Sequence, residues 1–170
     1  MTISNFNLPQ NDPDGTSIDL STDSLIPSPS NLGIELDTVN FLAYYNATDA
    51  NTGGTLPSGA DDRIEVGPVT GTNLFLALLS TTREPLSGRI IQRTSQADAA
   101  TLGVLFSRFL GGYNQTLDVV GQSVVTQANG NQPVDWLSAA FQTLHLAVIL
   151  PGQIYKIIDS VRRPSRRGRD

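Results

Sequence analysis

A mainly β chain with two helical segments is the fold class this 170-residue sequence predicts, on three observations. Short runs in which apolar and polar residues alternate recur along the chain, the pattern of strands with one buried face. Gly, Pro, Asn and Asp gather between those runs, where turns need them. Only Gln96 to Leu110 holds an apolar stripe at helical spacing over several turns, and a shorter helical stretch follows at Val134 to Thr143.

The chain is organised around Ser17 to Asn46. Its first run alternates at Ile18 and Leu20 and ends at the corner Pro27-Ser28-Pro29-Ser30. The second run carries Leu32, Ile34 and Leu36 on one phase and Val39, Phe41 and Ala43 on the other. Side chains alternate across a strand, so the phase change at Asp37-Thr38 must be absorbed by a bend or a bulge, which predicts one long, bent strand. Residues 1–16, rich in Asn, Asp and Pro, read as an N-terminal extension. In it Asp12-Pro13-Asp14-Gly15 forms a turn, because the further acids of a calcium loop are missing.

Thr48 to Asp62 reads as a flexible connection with a tight turn at Gly53-Gly54 and room for one short strand. Ile64 to Val69 and Thr72 to Leu79 read as strands. The second contains the run NLFLALL, which is expected to be buried on both faces. In the Gln96 to Leu110 helix, Leu102, Leu105, Phe106 and Phe109 share a face. Ser95 or Asp98 caps its start, Gly111-Gly112 stops it, and Ser107 and Arg108 are expected to point outward. Thr116 to Gln127 returns to period two, with Gly121 marking a bulge or a close backbone approach.

The short helical stretch carries Trp136, Leu137, Ala140 and Phe141. It is placed to close one end of the core, with the Trp136 indole buried and hydrogen-bonded. Leu144 to Leu150 reads as a final buried strand stopped by Pro151-Gly152. The domain is then residues 17–152, and residues 153–170 form a short closing segment and an arginine-rich tail.

Composition narrows the function classes. With no cysteine there are no disulfides, thiolate metal sites or cysteine nucleophiles. The longest apolar stretch, Leu144 to Leu150, is far short of the roughly 20 residues of a membrane span, so no transmembrane helix is expected. Met1 to Gln10 lacks the basic start and apolar core of a signal peptide. Arg162, Arg163, Arg166, Arg167 and Arg169 are five of the eleven bases. Residues 1–161 therefore hold six bases (11 − 5) against fifteen acids (16 − 1, Asp170 lying beyond), a net charge of -9. So acidic a body argues against specific nucleic-acid binding. It leaves the tail, otherwise a solvated end, as the candidate contact to an anionic surface, at roughly 1 kcal/mol per Arg near an anionic bilayer.

The chemistry-bearing residues form no catalytic pattern. His145, the one histidine, sits in an apolar run and reads as structural. Gly121-Gln122-Ser123-Val124-Val125 lacks the closing Gly of a nucleophile elbow. Asp61, Asp62 and Glu65 make the densest acidic cluster and read as a solvated edge rather than a metal site. Asn46-Ala47-Thr48 and Asn114-Gln115-Thr116 match the glycosylation sequon, a triplet that also arises by chance, so Asn46 and Asn114 are candidate acceptors. No catalytic, cofactor-binding or metal-binding residue is assigned, and no cofactor is expected.

Ile18-Asp19-Leu20, the corner Pro27-Ser28-Pro29-Ser30, Leu32-Gly33-Ile34, the Val119 to Val124 segment with Gly121, and Asp135-Trp136-Leu137 carry a resemblance that spans about Ser4 to Gly152. In order and spacing the chain resembles the late-embryogenesis-abundant type 2 (WHy) domain, as it occurs in tandem in fungal vacuolar-membrane proteins. Ser28 stands where that family usually has Asn. The resemblance implies an immunoglobulin-like, two-sheet β-sandwich with one or two packed helices, located at a vacuolar membrane. It implies a non-catalytic interaction or structural module, with anionic lipid or other modules of the same type as partners. The competing expectation is a carrier of an apolar ligand or lipid, its interior opened between Phe75, Leu105, Phe109 and Trp136.

Overall fold

Strands β1 (Thr2–Asn7), β2 (Ser17–Ser28), β3 (Ile34–Asn46), β4 (Arg63–Leu76), β5 (Ser80–Ile91), β6 (Gln115–Thr126), β7 (Gln132–Pro133) and β8 (His145–Leu150) are joined by helices α1 (Asp49–Thr52), α2 (Gln96–Leu110) and α3 (Asp135–Phe141). The computed structural model describes residues 2–153 apart from 29, 30, 32, 55 and 57–59. Its strands form one sheet in the order β3-β4-β5-β2-β1-β8-β6-β7, and β3 also pairs with β6. That second pairing folds the sheet over on itself around a single core. Neighbours run antiparallel except β1 and β8, which meet in parallel at Thr2 and Ile149.

The chain is thus mainly β with packed helices, as the sequence predicts. Where two sheets are expected, β3 makes them continuous by bonding β4 along one edge and β6 along the other. β3 is one long strand, with a single register to β4 from Ile34↔Leu76 to Ala43↔Gly67. No bulge interrupts β3 at Asp37-Thr38; the register to β4 shifts between Ala43 and Tyr44, where Val66 of β4 is the extra residue. Val39, Phe41, Ala43 and Tyr45 are buried on the inner phase, while Leu36, on the other, is half-buried.

In β6 the register to β3 shifts between Asn40 and Phe41, where Gln122 is the extra residue. This bulge adjoins Gly121 as predicted, and it reverses the phase so that Val119 and Val124 both face the core. A Cβ on Gly121 would overlap the carbonyl oxygen of Phe141, so the glycine also permits the close seating of α3. α3 takes the place of a strand along this part of β6. Val134 N–H donates to Val124 O (2.9 Å), Val124 N–H donates to Ser138 Oγ (3.1 Å), and Gln142 Nε2 donates to Gln122 O (3.0 Å).

α2 spans the predicted residues, with Ser95 Oγ accepting from Asp98 N–H at 3.3 Å. Leu105 and Phe109 are buried, and the Phe109 ring meets Phe6 edge-on at 5.3 Å. Full burial of such side chains contributes roughly 1.5–3 kcal/mol each. Arg108, expected outward, is half-buried, its guanidinium held between Gly53 at the end of α1 and the Tyr113 ring, 4.3 Å from the ring centre.

Several segments differ from the sequence reading. β1 lies inside the expected extension and sends Ile3 into the core. The connection after β3 holds α1 in place of a short strand. Asn51, buried there, acts as a piece of backbone: it donates to Asn46 O (2.7 Å) and Thr116 O (3.0 Å) and accepts from Thr116 N–H (2.9 Å). β4 is continuous, and β5 was not foreseen. The NLFLALL run is buried at Leu74 but exposed at Phe75, near the end of β4, and at Leu78 and Leu79 in the β4–β5 turn. β8 buries one face only, at Val148 and Leu150, and leaves His145 and Ile149 outside.

Candidate functional site

The folded-over sheet is not sealed equally at its two ends. At the end holding Gln115, Leu150 and Tyr45, α2 closes the core. At the other end β8 begins only at His145, opposite Val120 of β6, and β1 first pairs with β2 at Thr2↔Leu25. Ile26, Pro27 and Ser28 of β2 therefore run on paired to β5 with no β1 partner among the described residues. The gap between this part of β2 and α3 is an apolar cleft of about 260 Å³. Ile26, Leu36, Phe41, Leu74, Phe141 and Leu146 are among its walls, and the Phe41 and Phe141 rings lie 5.1 Å apart. Deeper in the core, between Leu20, Phe41, Leu86 and Phe109, lies a small cavity of about 60 Å³.

Beside the cleft stands the β4–β5 hairpin, whose strands bracket it through Leu36↔Leu74 and Ile26↔Thr82. Its apex is Ala77-Leu78-Leu79-Ser80, with Leu79 at φ 46. Thr82 Oγ1 accepts from Ala77 N–H (3.3 Å), Ser80 Oγ donates to Ala77 O (3.4 Å), and the buried Glu84 carboxylate accepts from Phe75 N–H (3.2 Å).

The residues named for an apolar interior are not brought together. Leu105 and Phe109 line the inner cavity, whereas Phe75 and Trp136 are exposed, Trp136 at 75 %. Trp136 misses the core because α3 is only seven residues long. It docks through the i, i+4 pair Leu137 and Phe141 and through Ser138, and a side chain one residue before Leu137 points off that face.

His145 is exposed rather than set in the core, with Nδ1 3.3 Å from both carboxylate oxygens of Asp118. Arg63 shares that carboxylate at 3.0 Å and lies 3.7 Å over the Tyr44 ring. This is an ion-pair cluster on the outer surface of the sheet. Glu65 is turned to Arg93 at 3.2 Å, away from Asp61 and Asp62. Among the described residues no three His, Asp or Glu groups are placed to hold a metal ion. Asp61 instead faces Asp98, and their shared hydrogen bond holds the Asp61 carboxyl above its ordinary pKa.

Asn114 is exposed and its Oδ1 accepts from Gly152 N–H at 3.1 Å, while Asn46, at the end of β3, is half-buried. Arg162, Arg163, Arg166, Arg167 and Arg169 lie outside the described residues. The cleft itself went unread in the sequence, because its walls come from five strands and a helix that alternation alone does not bring together. No family model matches this chain, and no curated protein or solved structure matches it.

Proposed function

We propose that this chain is a non-catalytic interaction module that works against a membrane, as its resemblance to the type 2 late-embryogenesis-abundant domains of fungal vacuolar-membrane proteins suggests. One observation supports the reading above the others: at one end of the sheet an open apolar cleft and the exposed Phe75, Leu78 and Leu79 stand side by side. The charged clusters elsewhere, Arg63–Asp118, Arg83–Asp23, Arg89 with Asp12 and Asp19, and Arg93–Glu65, are ion pairs between side chains of the same surface. Such pairs contribute about 0–1 kcal/mol each to stability and offer no reactive group in excess. Contact of the arginine tail with anionic lipid, and association with other modules of the same type, belong to the same proposal.

The cleft favours a second reading, a carrier of an apolar ligand or lipid. Its volume of about 260 Å³ lies under the roughly 300–1,000 Å³ in which proteins enclose a small ligand, so it fits the end of an apolar chain better than a whole lipid. This size favours the module. Native mass spectrometry of the purified chain, paired with vesicle flotation, separates the readings. A module floats with vesicles and leaves the column without lipid, a carrier retains lipid, and a chain that does neither contradicts both.

A further inference from the structure

We propose that the apex of the β4–β5 hairpin inserts Leu78 and Leu79 into the hydrocarbon edge of a lipid bilayer. The inference rests on the membrane reading above and names the part of the domain that makes the contact. From Val66 to Thr82, between Glu65 and Arg83, the chain carries 17 residues without a charge, and the hairpin turns toward the end of that stretch, where the next charge, Arg83, is paired to Asp23 at 2.6 Å. Leu78 and Leu79 are 57 % and 65 % exposed at the tip, with Phe75 at 48 % on its flank. Leu79 is in the left-handed region at φ 46, where hairpin turns ordinarily use Gly or Asn and where a leucine is strained. Folding alone would select neither the strain nor the exposure.

A turn that enters hydrocarbon must not carry free backbone polar groups with it. Here the hairpin's own side chains take those at the base of the turn: Thr82 Oγ1 accepts from Ala77 N–H, Ser80 Oγ donates to Ala77 O, and Glu84, set back from the tip, accepts from Phe75 N–H. The size of the patch points to lipid rather than protein. Three partly exposed side chains on a hairpin tip fall far short of the roughly 800 Å² per partner of a stable protein interface. The charge-free stretch also offers a protein partner nothing ionic to fix its register. A bilayer requires neither. Gln153, the last described residue before the arginines, donates its N–H to Phe109 O (2.8 Å) at the opposite end of the sheet.

The test uses the full chain with Trp136→Phe and Leu79→Trp, mixed with phosphatidylcholine vesicles. The new indole should shift to the blue, be quenched by bromine-labelled acyl chains, and respond alike at low and high salt. In the parent chain, Leu78→Ser with Leu79→Ser should weaken flotation on the same vesicles by at least about tenfold, since two leucines leave the apolar phase. Melting should stay at the parent temperature, because both side chains are exposed in the fold. Equal flotation with and without the two leucines overturns insertion and leaves the module reading standing. Binding to anionic vesicles alone, lost in salt, also overturns it and moves the contact to the tail. Failure to bind any vesicle removes both readings. A dimer that the serine pair converts to a monomer would make the apex a self-interface instead.

Discussion

The Tyr45 hydroxyl donates to Gln115 Oε1 at 3.0 Å, with both side chains 0 % exposed. The Gln115 amide in turn donates to Asn114 O (2.8 Å) and Tyr113 O (3.2 Å), so one buried pair ties β3 to the start of β6. Burial pushes the Tyr45 hydroxyl above its usual pKa of 10.0, which keeps it a donor. Tyr45→Phe should cost about 1–3 kcal/mol by leaving Oε1 unpaired, and Gln115→Leu should cost more, since it strands a hydroxyl and two carbonyls. Denaturant unfolding of both variants and of the double variant checks the pair. The double loss should be smaller than the sum, and strict additivity would deny the coupling.

Gly121 has no room for a methyl group, because Phe141 O and the Phe141 ring already fill the space. Gly121→Ala should lift α3 from β6 and lower stability by about 1–3 kcal/mol or more. Gly103, inside α2, meets nothing within 4 Å of an added Cβ, so Gly103→Ala should raise stability by about 0.5–1 kcal/mol. Thermal melts that rank the two variants the other way would contradict the seating of α3.

Trp136 loses the core place that sequence alone assigns it, while Phe109 keeps its own. Trp136→Ala should change stability by less than about 0.5 kcal/mol, whereas Phe109→Ala should cost about 3–5 kcal/mol. The single tryptophan makes native fluorescence a direct check. Emission typical of a water-exposed indole is expected, and a blue-shifted native spectrum would place Trp136 in an apolar site.

Acid response follows from three carboxylates. The hydrogen bond with Asp98, then loss of solvation and the charges of Asp98 and Asp62, raise Asp61 above 3.8. Its contribution is therefore fully present below the unfolded pKa and is lost as pH rises through the higher folded value. Asp14, held by the Thr16 backbone N–H and hydroxyl, and Asp23, held by Asn5 and Arg83, lie below 3.8. Their contributions are present at neutral pH and fade as pH falls through their folded values. Asp61→Asn should raise the melting temperature near neutral pH, with the gain shrinking toward about pH 4, while Asp23→Asn should lower it near neutrality and matter less in acid. A gain from Asp61→Asn that ignores pH would contradict the Asp61–Asp98 contact.

What the sequence made legible were elements whose signal is local. α2 was read to the residue because Ser95, the Leu105/Phe109 stripe and Gly111-Gly112 all lie within one segment, and Gly121 announced its bulge as an interruption of alternation. β5 was missed because Arg83, Glu84, Pro85, Ser87 and Gly88 hide the inward series Glu84, Leu86, Ile90. That strand is specified by its full-length pairing with β2 rather than by its own propensity. His145 was misplaced since an apolar run does not tell which faces are covered; the Asp118 partner that explains it comes from β6. The cleft depends on where β1 and β8 stop, which is a property of pairing and not of any one segment.

Backbone hydrogen exchange of the intact chain, with and without phosphatidylcholine vesicles, tests the membrane account most directly. The account predicts slower exchange on vesicles at residues 73–82 and along the neighbouring edge of β2 at Leu25 to Ser28. Exchange in α2 and in Thr48 to Gly53, at the far end of the sheet, should not change. Unchanged exchange at the hairpin apex, or protection confined to residues 154–170, would contradict it.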